Sequence, residues 1–130
     1  MGIMAISERR KYPRIRIYSS ISCIGVDSDG SCVGQYLGTV QNVSQIGLMI
    51  ETFEELDADF AQLSIVDLEN NLQEIKGRVV YCRKVQPGRF YSGISLQGTP
   101  AANVDFIKKL VKTYSYNKKF SQKKSFVVPN

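Results

Sequence analysis

Histidine is absent from this 130-residue chain, and that omission removes the usual neutral-pH proton shuttle and the commonest zinc ligand together. Ser-His-Asp and Cys-His catalysis are excluded. Cysteine is scarce: Cys23, Cys32 and Cys82 are an odd set with no CxxC spacing, which argues against a disulfide framework or zinc site and predicts buried, reduced thiols. No apolar run approaches the ~20 residues that span a bilayer, and Met1–Ser7 is too short and lacks the basic leader of a secretory signal. A cytoplasmic protein without a membrane span is the expectation.

What is present is an ordinary globular composition, 43% hydrophobic and 22% charged, at a length that suits one domain with a single core. Glu54, Glu55, Asp57 and Asp59 are conceivable paired carboxylates, but beside Phe53 and Leu56 they read as a solvated turn or short helix. A non-enzymatic protein is therefore expected. Charge is uneven: residues 1–16 carry five basic groups and one acidic, residues 17–107 five basic and eleven acidic, and residues 108–130 seven lysines and no acid. An acidic body with basic ends favours a localised anion site at the termini over a uniformly basic nucleic-acid surface.

From Ile15 to Val26 the chain is rich in Ile, Tyr, Ser and Cys, with Ile15, Ile17, Ser19 and Ile21 on one side of a period-2 repeat. A long strand is predicted. Asp27-Ser28-Asp29-Gly30 marks a turn, and Val33 to Val43 reads as the returning strand of a hairpin, with Gly34 and Gly38 placed for bends or bulges. Leu48–Thr52, Phe60–Leu68, Gln73–Val85 and Phe90–Leu96 follow, the later ones separated by Glu69-Asn70-Asn71 and Gln86-Pro87-Gly88. Five or six such strands without intervening helices predict an antiparallel barrel or sandwich. After Thr99-Pro100, the spacing of Val104, Ile107, Leu110 and Val111 predicts an amphipathic helix from Ala102 to about Tyr114, packed over an open barrel end. Residues 1–7 are expected to be a flexible terminus, and residues 115–130 a mobile basic tail in which Lys118, Lys119, Lys123 and Lys124 alternate with aromatics.

Two short patterns carry the chemistry. Arg10-Lys11-Tyr12-Pro13-Arg14 lies before the first strand, and Asn42-Val43-Ser44-Gln45-Ile46-Gly47 lies at the end of the second. Pro13 biases Tyr12 toward extended geometry, so Arg10 and Arg14 are predicted along an extended arm, their backbones up to about 13 Å apart on one side. A pile of four base planes extends about 10 Å between its outer members. Two guanidiniums so placed can address both ends of a stacked purine ligand. Arginine suits this with a fork that matches guanine O6 and N7, a bidentate grip on phosphate and a flat cation that stacks on a base. Asn42 can accept from a guanine ring N–H or amino group, and Ser44 can donate to phosphate or accept from an amino group. Gly47 is expected to permit a left-handed turn, with Val43 and Ile46 pointing inward. Asn42 or Ser44 can instead cap its own backbone, and the arginines alone can be a solvated terminus. The joint occurrence of both patterns on a strand-rich scaffold favours a ligand.

These residues resemble a known family. Arg9-Arg10-x-x-x-Arg14, Asn42-x-Ser44-x-x-Gly47, Gly77-Arg78-Val79-Val80-Tyr81, Tyr91-Ser92-Gly93-Ile94-Ser95-Leu96 and a terminal helix look like a PilZ domain over about residues 8–114. The resemblance implies a six-stranded antiparallel β-barrel with a C-terminal helix, acting as a bacterial receptor for cyclic di-GMP. It gives Arg10 and Arg14 the guanines and phosphates, and Asn42, Ser44 and Gly47 another base edge. Arg9 before the motif resembles members that bind an intercalated nucleotide dimer. Many members carry Asp where this chain has Asn42, and the amide loses the charge-assisted part of the hydrogen bond to guanine, about 1 kcal/mol, so binding is expected to be weakened rather than lost. No cofactor is implied beyond the nucleotide ligand, and a stand-alone adaptor of this kind must pass its signal to a downstream protein partner. The alternatives are a PilZ-like interaction module that takes no nucleotide, and a small β-barrel that binds single-stranded nucleic acid through its basic tail.

Overall fold

The computed structural model describes residues 14–127, with side chains as far as Lys119. Six strands precede one helix: β1 Ile15–Val26, β2 Cys32–Val43, β3 Gly47–Thr52, β4 Phe60–Val66, β5 Leu72–Gln86, β6 Arg89–Leu96 and α1 Pro100–Val127. The strands neighbour one another in the order β1-β2-β3-β6-β5-β4 and close back onto β1. Every pairing is antiparallel.

Alternation builds the wall. In β1, Ile17, Ile21 and Cys23 are buried while Tyr18, Ser20 and Ser22 face outward; Val40, Val43, Ile50, Leu63, Ile75 and Ile94 fill the interior from the other strands. Each such aliphatic side chain contributes roughly 1.5–3 kcal/mol on burial. Two hairpins share one turn device. Asp27 accepts from the amides of Asp29 and Ser31 at 3.2 and 3.0 Å, and Asp67 accepts from those of Glu69 and Asn71 at 2.9 Å. Gly30 (φ 92°) and Asn70 (φ 66°) supply the left-handed position in each, a conformation that Gly and Asn adopt most readily. The Asn71 amide above all holds the Asp67 carboxyl below its ordinary range. The third hairpin turns on Pro87-Gly88, with Gly88 at φ 74°.

The acidic segment is a solvated loop, as its composition predicts: Glu54, Glu55, Asp57 and Asp59 are exposed, while Leu56 anchors it in the core. The helix departs from its expected limits. Pro100 takes its first position and Thr99 Oγ1 accepts from the Ala102 amide at 3.1 Å, an N-cap. Its end lies at Val127, well past Tyr114, because residues 115–127 contain neither Gly nor Pro to stop it. Residues 115–127 are thus helical. Phe106, Ile107 and Leu110 are its buried face.

Gly38 is a second departure. It pairs in regular register with Ile21, where the methyls of Ile21 and Thr52 lie 3.5 Å from the place a Cβ would occupy. The irregularities of β2 fall instead at Val33, beside Gly34, and at Gln41. Nor are all the thiols buried. Cys23 is, and desolvation pushes it up to about 11; Cys82 is half-buried; Cys32 is exposed because it opens β2 at the hairpin tip. Among the described residues no helix is long and apolar enough to cross a membrane.

Candidate functional site

Two β-bulges shape one stretch of the outer wall. At Gln41, β2 holds one more residue than β3 opposite it, so the inward set that includes Gly38 and Val40 resumes at Val43 and Asn42 turns outward. At Val80, β5 gains a residue on β6, and Tyr81 turns outward. Each bulge also sharpens local twist and bends its strand.

Register then lays the site out as two outward rows. Arg16, Asn42, Met49, Gly93 and Tyr81 are successive partners across β1, β2, β3, β6 and β5. Two residues along, Gly47, Ser95 and Arg78 are partners across β3, β6 and β5, and the Ser44 amide donates to the Gly47 carbonyl at 2.8 Å. With ~4.8 Å between strands, Asn42 and Tyr81 stand about 14 Å apart. Between them lies a cleft of about 450 Å³ whose lining includes Arg14, Asn42, Ser44, Gly47, Met49 and Tyr81.

Glycine makes the floor. A Cβ on Gly93 would run into the Tyr81 ring, so the ring lies over that strand. A Cβ on Gly47 would stand 2.5 Å from the Ile94 carbonyl oxygen. Gly47 is therefore required by close approach of β3 to β6. The left-handed turn expected of it does not occur, since positive φ among the described residues falls at Gly30, Asn70 and Gly88. Ile46 is a further correction: it is 51% exposed and lines the cleft, because the turn after Val43 breaks strand alternation. Ser44 also shapes its own turn, its hydroxyl accepting from the Ile46 amide at 3.3 Å and donating to the Gly47 carbonyl at 3.4 Å.

The electrostatics favour an anion. Arg14 lines the cleft, no carboxylate among the described residues does, and Arg78 stands at the β5 end of the second row. Glu51, the next outward position of β3, is bound by Arg89 at 2.9 Å. That hydrogen bond holds the Arg89 guanidinium above its ordinary value. Arg83 lies over the Tyr91 ring, 5.6 Å from its centre.

Of the residues selected from sequence, Arg14, Asn42, Ser44 and Gly47 thus meet in one cleft. Arg9 and Arg10 lie outside the described residues. Met49, Tyr81 and Gly93 were not selected as site residues. Tyr81 and Gly93 fall in the strand runs that match the family pattern, but only strand pairing brings them into the row of Asn42.

The sequence matches the family described as PilZ domain over residues 8–113. No curated protein gives a significant match. Among solved structures, the fold is similar to the PilZ domain of YcgR from Escherichia coli, solved with c-di-GMP (TM-score 0.59, 14% identity, 89% of this chain and 99% of that one). It is similar also to MrkH of K. pneumonia in its apo state (TM-score 0.54, 17% identity, 87% of this chain and 55% of that one). A longer YcgR chain in complex with c-di-GMP aligns over 92% of this chain and 50% of its own length, with a TM-score of 0.50 and 12% identity. The chain therefore spans about half the length of MrkH and of that longer YcgR chain.

Proposed function

The chain belongs to the PilZ domain family, and from that premise we propose that it is a receptor for cyclic di-GMP that performs no chemistry itself and signals to a partner protein. One observation carries the reading: Arg14 and the Asn42–Gly47 pattern, separate in sequence, line a single cleft with no carboxylate among the described residues of its walls. Each group has work that fits a guanine dinucleotide. The Arg14 guanidinium takes phosphate or the O6/N7 edge of a guanine in a bidentate grip. Asn42 accepts from the opposite guanine edge, and Ser44 contributes what its turn leaves free. Met49 and the Tyr81 ring offer an apolar floor on which a base can lie flat. Arg10 supplies the second fork when residues 9–14 close over the ligand, and Arg9 extends the grip to a second nucleotide. Drawing that arm onto the barrel changes the exposed surface, which gives a partner a difference to bind.

Isothermal titration with cyclic di-GMP tests the proposal. The parent chain is expected to bind. Arg10→Ala and Arg14→Ala are each expected to lose most of the affinity while their thermal melts stay unchanged, since Arg14 is exposed. Parent-like binding by both variants, or no binding by the parent chain at millimolar nucleotide, overturns it; the second result favours a module that takes no nucleotide. Two nucleotides per chain, falling to one in Arg9→Ala, would assign the intercalated dimer.

A further inference from the structure

A second opening lies on the opposite flank of β1, clear of the nucleotide cleft. β1 pairs with β4 from Ser22 to Val26, and before Ser22 the two strands part. Two contiguous hollows follow the gap, of about 450 and 390 Å³, sharing Ser20, Ile65 and Val66 and so forming one groove. Its two ends differ. One is walled by Leu37, Val66 and Leu72, which are 70%, 53% and 60% exposed. The other is walled by Tyr114, Asn117 and Lys118 of α1, with the Lys118 ammonium 5.9 Å from the centre of the Tyr114 ring.

We propose that this groove docks an extended segment of a partner protein, one that presents apolar side chains at alternate positions followed by carboxylates. Three observations select that occupant. Continued past Ser22↔Ser64, the register sets Ser20 and Ile21 of β1 opposite Ile65 and Val66 of β4 without a ladder between them, and Ser20 and Val66 are exposed there, so an extended segment can lie along these two strand ends as an added strand does. The exposed Leu37, Val66 and Leu72 provide an apolar seat, and a strand directs every second side chain to one face. The charge then sets the polarity of the segment. Among the described residues no carboxylate lines the groove, α1 has none after Asp105, and Lys112, Lys118 and Lys119 are exposed along it. Ser64, which lines the apolar end, donates to the Glu74 carboxylate at 3.5 Å, so acidic residues of the partner belong at the helix end. A lipid surface fits less well, because Ser19, Ser20 and Ser22 line the groove between its two ends and offer polar groups that suit a peptide backbone better than acyl chains. Single-stranded nucleic acid would want a run of aromatic platforms, and the apolar end is aliphatic.

A library of random dodecapeptides selected on the full chain, with enriched peptides titrated by fluorescence polarisation and mapped by amide shifts, tests the proposal. Enriched peptides are expected to carry apolar residues two apart followed by Asp or Glu, and to shift the amides of Ser20, Ser22 and Val66. Lys118→Glu is expected to weaken them about tenfold, as reversal of a rim charge does, and Val66→Asp to abolish binding, both positions being exposed. Arg14→Ala leaves it unchanged. The inference fails if selection enriches nothing, if the peptides bind both variants like the parent, or if they shift the cleft instead. Binding of anionic vesicles or an oligothymidine that Lys118→Glu abolishes, with no peptide enriched, also overturns it.

Discussion

The two flanks of β1 are openings of different construction. On the β2 side the ladder runs the length of the strand, and the cleft is shaped by backbone: two bulges turn Asn42 and Tyr81 outward over a floor of Gly47 and Gly93. On the β4 side pairing stops at Ser22, and the gap is lined by a side chain, Leu110, delivered from α1. A hydrogen-bonded wall holds its shape whatever most of its outward residues are. A gap between strands depends on what packs into it.

Breaking the second flank should have the largest effect. Leu110 is fully buried, so Leu110→Ala is expected to cost about 3 kcal/mol, read as a lower urea midpoint; a loss near zero would show that α1 merely rests on the barrel. On the first flank, Gly47→Ala places a Cβ against the Ile94 carbonyl. It should cost about 2 kcal/mol and also weaken nucleotide binding, whereas Leu110→Ala should leave the affinity of the folded protein alone. Equal effects of the two variants on binding would erase the contrast. Thr99→Ala, which removes the cap of α1, is expected to cost about 1 kcal/mol by the same urea assay, without touching the cleft.

The smallest effect is a pH dependence inside the wall common to both flanks. Burial raises the Cys23 thiol from an ordinary 9.0 to about 11. Below 9 both folded and unfolded chains keep the proton, so nothing is lost; between 9 and about 11 the unfolded chain releases it first, and stability falls as pH rises. Urea midpoints at about pH 8 and pH 9.5 should therefore draw closer together in Cys23→Ala. An unaltered difference would mean that Cys23 is not the group responsible.

Most of the wall was legible in sequence. The alternation of Ile17, Ile21 and Cys23, and the turn clusters at Asp27–Gly30 and Glu69–Asn71, are local signals, because strand period and turn chemistry act over a few residues. The site was legible only in part. Arg14, Asn42, Ser44 and Gly47 belong to short patterns, but the purpose of Gly47 depends on Ile94, nearly fifty residues on, and no local turn signal carries that information. Ile46 and Cys32 departed from expectation for a similar reason: they sit where alternation ends, and exposure there is decided by neighbouring strands. The helix ran past Tyr114 because no Gly or Pro stops it, although its residues from Ser115 to Lys119 are exposed and give no apolar period to read.

By itself, then, the order of residues determined the strands, their turns, the start of the helix and the chemical character of the two patterns, since each depends on neighbours along the chain. Tertiary structure alone decided which side chains share the cleft and that β1 and β4 part beyond Ser22. A single extra residue at Gln41 or Val80 reverses which face every following side chain occupies, and the position of that bulge is set by pairing with a distant strand.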